Sequence, residues 1–164
     1  QFSFNDRVRL VSAEDGEFTD LRLGFDEAAW MSAFSPDGSM LVIPSKLGYA
    51  RVWDTATWEV ITTIRGFLLG LNSAGFSPNG RRMFTGGEVL PEEAFRLFET
   101  TSWLNVLTLD CEGTHFDLTR FSPDGNSVGM MDSQGLLTVW QAPTWEEIAE
   151  EEARTDGWRG HSRR

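Results

Sequence analysis

The sequence has few of the residues from which disulfide frameworks and metal sites are built. It contains one cysteine, Cys111, and two histidines, His115 and His161, in 164 residues. A single cysteine excludes an internal disulfide and is compatible with a reducing compartment, so we expect a cytoplasmic protein in which Cys111 is an inert apolar residue. Since no Cys/His pair has the spacing of metal ligands, the sequence predicts no metal site.

Long apolar runs and an excess of basic residues are also missing. No stretch approaches the roughly eighteen uninterrupted apolar residues that cross a bilayer, and no basic and apolar leader opens the chain, so we expect no membrane partner. Lysine and arginine total 14 against 25 aspartates and glutamates, a net charge of −11. This charge repels nucleic acid phosphate, so we expect no nucleic acid partner. The acidity serves either solubility or attraction to a basic protein.

Catalytic and cofactor-binding motifs are missing as well. The chain contains no GxGxxG, GxxxxGK[ST], HExxH, GxSxG or calcium-loop pattern. Paired carboxylates occur at Glu92-Glu93 and Glu146-Glu147, but neighbouring side chains on a strand point to opposite faces, so we interpret them as solvated charge. The sequence therefore predicts no catalytic residue and no cofactor, and we do not expect an enzyme.

What the chain does contain is a phrase that occurs three times. Phe-Ser-Pro-Asp/Asn-Gly stands at Phe34–Gly38, Phe76–Gly80 and Phe121–Gly125, with steps of 42 and 45 residues. A supersecondary unit repeated at such a period dictates the fold of a repeat protein.

A second landmark follows each phrase at a nearly constant distance. It is an aromatic residue followed five positions later by a tryptophan, and it occurs as Trp53 and Trp58, as Phe98 and Trp103, and as Trp140 and Trp145. An incomplete copy, Arg9-Leu10-Val11-Ser12, precedes the first phrase. The landmarks define three repeats and the end of a fourth.

One repeat contains four short strand patterns. Residues 28–34 lead into Ser35-Pro36-Asp37-Gly38, whose proline, aspartate and glycine are typical of a tight turn. Residues 40–44, 49–53 and 58–64 are short apolar or alternating segments bounded by Gly, Ser, Thr or Asp. Because no segment inside the repeats has the i, i+3, i+4 spacing of an amphipathic helix, the repeat predicts a four-stranded antiparallel blade.

A four-stranded unit of this length, with Val52-Trp53-Asp54 at the end of its third strand, resembles the WD-repeat β-propeller family. The resemblance covers nearly the whole chain and implies an all-β fold of stacked blades. The Gly-His pair of the family is present only loosely, at Gly113-Thr114-His115, and the family's buried turn aspartate falls on Leu47 and Gln134. We therefore expect the family's hydrogen-bond network to be largely missing and apolar packing to hold the blades together.

The landmarks divide the chain into blades. Residues 1–24 are expected to form a partial blade, residues 25–66, 67–112 and 113–148 one blade each, and residues 149–164 an acidic, then basic tail. Residues 145–154 have the composition of a short helix. Propellers close with about four to eight blades, and Phe2-Ser3-Phe4 has the pattern of a strand end. We therefore expect a chain that begins inside a blade and needs further blades of a longer chain, a second copy or another protein to close its ring.

Loops on one rim of the predicted propeller are the candidate surface for a protein partner. Segment 86–93 makes the second repeat three residues longer than its neighbours, and insertions in repeat proteins collect on loops of the binding face. By the resemblance, this loop lies beside the connections between blades. The candidate residues are Phe25, Glu27, Phe67, Leu68, Glu88, Leu90, Glu92 and His115. For Phe67-Leu68-Leu69 the alternative is that it only begins the next inner strand.

The predicted function is a non-catalytic platform for protein–protein interaction, because the fold presents a rigid rim and the chain has no catalytic motif. An alternative rests on residues 139–152, which resemble the C-termini of bacterial proteins in which WD repeats follow a serine/threonine kinase domain. In that case the propeller is the regulatory or docking part of a signalling protein. A third hypothesis is a propeller hydrolase with its site in the central channel.

Overall fold

Short antiparallel strands make up the fold. The computed structural model describes residues 7–22, 31–68, 70–87, 95–109 and 116–143, and within these ranges there is no helix. The strands are β1 (Arg7–Val11), β2 (Phe18–Arg22), β3 (Ala33–Phe34), β4 (Met40–Ser45), β5 (Tyr49–Asp54), β6 (Val60–Ile64), β7 (Leu71–Phe76), β8 (Arg82–Gly87), β9 (Phe95–Glu99), β10 (Asn105–Leu109), β11 (Phe116–Phe121), β12 (Ser127–Asp132) and β13 (Leu137–Gln141).

The strands form consecutive meander sheets, in which strand order equals chain order. The first blade is β3-β4-β5-β6, the second blade is β7-β8-β9-β10, and the third blade is β11-β12-β13, while β1 and β2 pair with each other. The pairings between these named strands are antiparallel. The all-β propeller architecture predicted from the repeats is confirmed. The ranges assigned to the blades stay predictions, and the predicted helix over 145–154 lies outside the described residues.

Each repeated phrase forms the same turn between the first two strands of a blade. In the first blade Gly38 donates its N–H to the Ser35 carbonyl at 2.9 Å and has a positive φ of 74°. The Asp37 carboxylate accepts the Ser35 hydroxyl at 2.6 Å and the Ser39 N–H at 3.0 Å. Because glycine adopts positive φ without a steric penalty and aspartate accepts the turn's donors, this phrase specifies a tight hairpin.

A second hairpin lies at the same edge and joins the last two strands of the blade. Trp58 closes it with a φ of 57°, which is rare for a bulky residue, and its N–H donates to the Asp54 carbonyl at 2.8 Å. Thr55 Oγ1 donates to the Gly38 carbonyl at 2.6 Å and ties the two hairpins together. The fourth strand therefore begins at Val60 and not at Trp58 as predicted, because the left-handed conformation of Trp58 interrupts the extended chain.

Neighbouring blades pack face to face through apolar side chains. Between the first and second blades the buried residues are Val42, Ala50, Val52, Ile64, Phe67, Leu71, Ala74, Met83 and Phe98. Between the second and third blades they are Phe84, Phe95, Phe116, Val128 and Met130. The inner strands lie side by side, as shown by the parallel bridge between Met31 and Ser73. Successive residues of a strand point to opposite faces of its sheet. Because both faces of these sheets carry apolar residues, each sheet can pack against a neighbour on either side.

One polar contact is buried within the second of these interfaces. Ser73 Oγ on β7 donates to Thr119 Oγ1 on β11 at 3.1 Å, and both residues are about 95% buried. Gly86 leaves room for the pair, because a Cβ at this position would lie 2.5 Å from Ser73 Oγ. The inner strands of the second and third blades are thus held in register by a satisfied hydrogen bond.

Candidate interaction rim

Turns at the edge opposite the repeated phrases form the rim on which partner binding was predicted. These turns join the second and third strands of a blade, at 46–48 in the first blade and 133–136 in the third. In the third blade the buried carboxylate of Asp132 accepts the N–H groups of Gln134 at 2.9 Å and Leu136 at 2.8 Å. The resemblance placed the family's turn aspartate at Gln134, and this assignment stays a prediction. The carboxylate that holds the turn is that of Asp132, two residues earlier.

The first blade uses a hydroxyl in the same position. Ser45, which is fully buried, accepts the N–H of Leu47 at 3.1 Å. The indole Nε1 of Trp53 is also buried and has no hydrogen-bond partner among the residues that the structure describes. A serine therefore keeps the turn, and the Trp53 ring is held by packing against Leu41, Ile43 and Tyr49. This agrees with the expected weakness of the polar network.

The connection between the first and second blades packs closely against the 46–48 turn. A Cβ on Gly70 would lie 3.0 Å from the Lys46 Cα and 3.1 Å from its carbonyl oxygen, so only glycine permits the approach without displacing backbone. Gly66 begins the connection with a φ of 98°, which glycine adopts freely. Two glycines therefore fix the connection beside the 46–48 turn.

The two described candidates on this connection have different surroundings. Phe67 is 92% buried in the core between the first two blades, and the Arg96 guanidinium lies 4.4 Å from its ring centroid. Leu68, the next residue, is 79% exposed. The alternative interpretation was that Phe67 and Leu68 begin the next inner strand. Strand β7 begins only at Leu71, so neither residue is part of that strand. Phe67 anchors the connection, and Leu68 is presented at the surface.

A second exposed leucine lies on the neighbouring turn and was missed as a candidate. Leu47 is 53% exposed and follows Lys46, whose backbone contacts the Gly70 position. An apolar residue inside a Ser-Lys-Leu-Gly turn was the available sequence signal, since turns normally carry polar residues. We use the term leucine rim for Leu47, Leu68 and the two loops that carry them.

Cationic side chains stand next to the leucine rim. The guanidinium groups of Arg51 and Arg65 lie 5.8 and 5.4 Å from the ring centroid of Tyr49, which is 9% exposed. Cations over an aromatic face gain about 0.5–1 kcal/mol at exposed sites. The rim therefore combines apolar exposure with side chains whose positions are restrained by an aromatic ring.

The other predicted partner-binding residues cannot be placed on this surface. Phe25, Glu27, Glu88, Leu90, Glu92 and His115 lie outside the described residues. Their role in binding stays a prediction. Cys111 lies outside the described residues as well.

The carboxylates with shifted pKa values belong to turns. The Ser35 hydroxyl, followed by the Ser39 N–H, lowers the pKa of Asp37 from 3.8 to about 2. The Ser102 hydroxyl and then Arg82 lower the pKa of Glu99. These carboxylates stabilise hairpins in their ionised form.

Within the described ranges no group of three or more His, Cys, Asp or Glu is placed to hold a metal ion. Nor does any described segment form a helix with the length and apolar character of a membrane span.

Antiparallel blades stacked face to face define a β-propeller type of repeat protein. The chain is 27% identical over 143 residues to a ciliary WD repeat-containing protein, ctxp80, of Euplotoides octocarinatus, a match that covers 72% of this chain. It is 30% identical over 140 residues, 74% of this chain, to an uncharacterized WD repeat-containing protein of Deinococcus radiodurans. The resemblance to the WD-repeat family is therefore confirmed.

The chain is shorter than both relatives. The matches span 20% of the ciliary protein and 52% of the bacterial protein. No family model matches the chain.

Proposed function

We propose that the chain is a platform for protein–protein interaction and that the leucine rim is part of its binding surface. The similarity to two WD repeat-containing proteins carries this proposal, since rigid repeat folds present their loops for recognition. Leu47 and Leu68 supply apolar side chains at 53% and 79% exposure on adjacent loops. Exposed apolar residues on neighbouring loops of a rigid surface favour an interaction site.

Rigid support below the leucines favours this site over other exposed residues. Phe67 packs into the core directly beside Leu68, and the backbone of Lys46 lies against Gly70. A preorganised surface loses little conformational entropy when a partner binds, so more of the contact energy appears as affinity. We therefore expect a partner that inserts apolar side chains against Leu47 and Leu68.

The net charge of the chain should increase its rate of association with basic proteins. At −11 the chain attracts basic proteins over a distance of about 8–10 Å at physiological salt. The proposed partner is therefore a protein with an apolar anchor for the leucine rim and a positive net charge, which speeds its encounter with this acidic chain. Its association rate should fall with rising salt while its dissociation rate changes little.

The experiment compares substitutions of two exposed leucines, one on the leucine rim and one at the opposite edge. Leu68→Asp removes an anchor from the leucine rim, and Leu104→Asp alters a leucine of 65% exposure that precedes β10 at the opposite edge. Proteins retained by the wild-type chain and by Leu104→Asp, but lost by Leu68→Asp, are candidates for purification and for a binary titration. We expect Leu68→Asp to weaken the purified pair at least about tenfold. Equal affinity of both variants for every purified partner would remove the rim from the proposal.

The two other hypotheses are not supported by a specific contact. A regulatory position in a kinase-linked protein and hydrolysis in a central channel both stay untested.

A further inference from the structure

A tryptophan packs in the same way on each of the first two blades. It stands five residues after the aromatic residue of the third strand, as Trp58 after Trp53 and as Trp103 after Phe98. Trp58 is partly buried against the cluster that contains Trp53, and Trp103 against the cluster that contains Phe98. Both tryptophans have a φ of 57°. The turn after the third strand therefore returns an indole ring to the apolar core of the blade.

The third blade has the same apolar pair on which such a ring packs. Val128 on β12 pairs with Trp140 on β13, just as Met83 pairs with Phe98 in the second blade. Trp145 stands five residues after Trp140 and lies outside the described residues. The repeat therefore assigns Trp145 the position of the two packed tryptophans.

The backbone leaves the third strand along the same path in the second and third blades. The N–H of Ala142 donates to the Asn126 carbonyl at 2.8 Å. In the second blade the equivalent N–H of Thr100 donates to the Arg81 carbonyl at 3.2 Å. In both blades the tryptophan follows three residues later. The two turns therefore begin from the same point of the sheet, which favours the same direction for the ring.

A cleft of about 310 Å³ lies between the second and third blades, where the repeat places this ring. Its apolar lining comes from both blades: Leu97, Leu107 and Leu109 of the second, and Val128 and Trp140 of the third. Pro143 also lines the cleft and precedes Trp145 by two residues. Since an apolar cavity of about 150 Å³ is enough to bind benzene, a cleft of this size can hold an indole ring. We call it the outer cleft.

We propose that the outer cleft is the docking site of the Trp145 indole, and that this contact holds the acidic segment 146–152 beside the third blade. Five of the seven residues in this segment are glutamates, so it has little apolar surface of its own to bury. The indole ring supplies that surface, because its burial removes apolar area of the ring and of the cleft from water. The ring thus anchors a run of negative charge to a rigid sheet.

This inference does not rest on the leucine rim. The outer cleft is lined by Gly125 and Asn126 of the third repeated phrase and its turn, and the leucine rim lies at the opposite edge of the blades. Loss of partner binding by Leu68→Asp would therefore leave the Trp145 contact unchanged.

A double-mutant cycle of unfolding in urea tests the contact. Leu107 lines the cleft at 44% exposure, whereas Val106, its neighbour on β10, is 48% exposed and is not among the described residues that line it. Trp145→Ala should raise the unfolding equilibrium constant at least about tenfold. Combined with Leu107→Ala its effect should deviate from additivity by at least about twofold, and combined with Val106→Ala it should be additive. Trp158→Ala, at the other tryptophan of segment 144–164, is the matched control and should have no effect.

Fluorine NMR of the 5-fluorotryptophan-labelled chain tests the same contact without the large substitution, should Trp145→Ala fail to fold. The Trp145 resonance, assigned by its loss in Trp145→Phe, should shift in Leu107→Ala and stay in place in Val106→Ala. Additivity in both cycles, or a Trp145 resonance at the position of the free amino acid, would overturn the proposal. So would a response of Trp158 in place of Trp145. A response that disappears on dilution would also overturn it, because a second copy would then supply the ring.

Discussion

The ring of Phe84 occupies the space above Gly75, its direct partner across β7 and β8. A Cβ built on Gly75 would lie 2.8 Å from two ring carbons. Phe84 then reaches the core between the second and third blades, with ring centroids 5.9 Å from Phe95 and 5.7 Å from Phe121. A glycine in the inner strand therefore makes room for the aromatic residue at the centre of this core.

Replacing Gly75 by alanine should destabilise the chain. The ring of Phe84 must move out of a filled core, and overpacking of this kind costs about 1–3 kcal/mol. The free energy of unfolding from urea denaturation measures the effect. Gly129→Ala is the control, because a Cβ there meets only Leu137 Cδ1 at 3.7 Å and should leave stability unchanged or slightly raised. Equal effects of the two substitutions would contradict the steric explanation.

The buried Ser73–Thr119 pair should show strong coupling. Ser73→Ala or Thr119→Val alone leaves one hydroxyl buried without its partner, at a cost of about 1–3 kcal/mol. The double variant removes both polar groups and should cost less than the sum of the single changes. A double-mutant cycle of unfolding free energies tests this, and strict additivity would show that the 3.1 Å contact has no energetic role.

At Trp103, substitution by glycine should reduce stability less than substitution by alanine. It has a φ of 57° and packs partly buried against the core between the first and second blades. Both Trp103→Ala and Trp103→Gly lose this packing, but only glycine avoids the left-handed penalty of about 1–2 kcal/mol. We expect glycine to be the more stable variant by about 1 kcal/mol in thermal unfolding. At Val106 on β10 the order should be reversed, because strand positions favour alanine over glycine.

Ionisation of Asp37 should make the stability of the chain fall at acidic pH. Its pKa is about 2 in the folded chain against 3.8 ordinarily, because the Ser35 hydroxyl and the Ser39 N–H bind its ionised form. Its contribution is complete above pH 3.8 and is lost as the pH falls toward 2. Asp37→Asn should therefore weaken the change in stability over this range while preserving the turn.

The second turn already shows that asparagine is tolerated in this position. Asn79 Oδ1 accepts the Ser77 hydroxyl at 2.8 Å and the Arg81 N–H at 3.0 Å. An NMR titration of the Asp37 carboxyl gives the direct check. A midpoint near 3.8 would contradict the hydrogen-bond explanation.

Predicting the four-stranded unit was possible because turn chemistry and strand alternation are local. Pro36, Asp37 and Gly38 specify their hairpin through backbone preferences that need no distant contact. The predicted start of the fourth strand was wrong. Trp58 closes the turn in a left-handed conformation, with its N–H bonded to the Asp54 carbonyl, and such a conformation is rare for a bulky residue, so the apolar alternation of the segment did not indicate it.

The candidate surface could be predicted only in part. Leu68 on the apolar linker is exposed, whereas Phe67 beside it is a core residue, and a role of either in binding stays a prediction. Sequence spacing does not distinguish the two, because a connection has no fixed side-chain period. The exposure of Leu47 was not predicted, because it depends on how the 46–48 turn packs against the connection at Gly70.

Repeat period, strand number and turn type followed from the amino-acid sequence, because each depends on residues a few positions apart. The pairing of Gly75 with Phe84, the buried Ser73–Thr119 contact and the exposure of Val139 depended on the tertiary structure. Val52 and Val139 occupy equivalent strand positions, 18 residues after Phe34 and Phe121, yet Val52 is fully buried and Val139 is 59% exposed. The difference arises because a neighbouring blade covers Val52 and removes its apolar surface from water, whereas no described residue covers Val139 in this way.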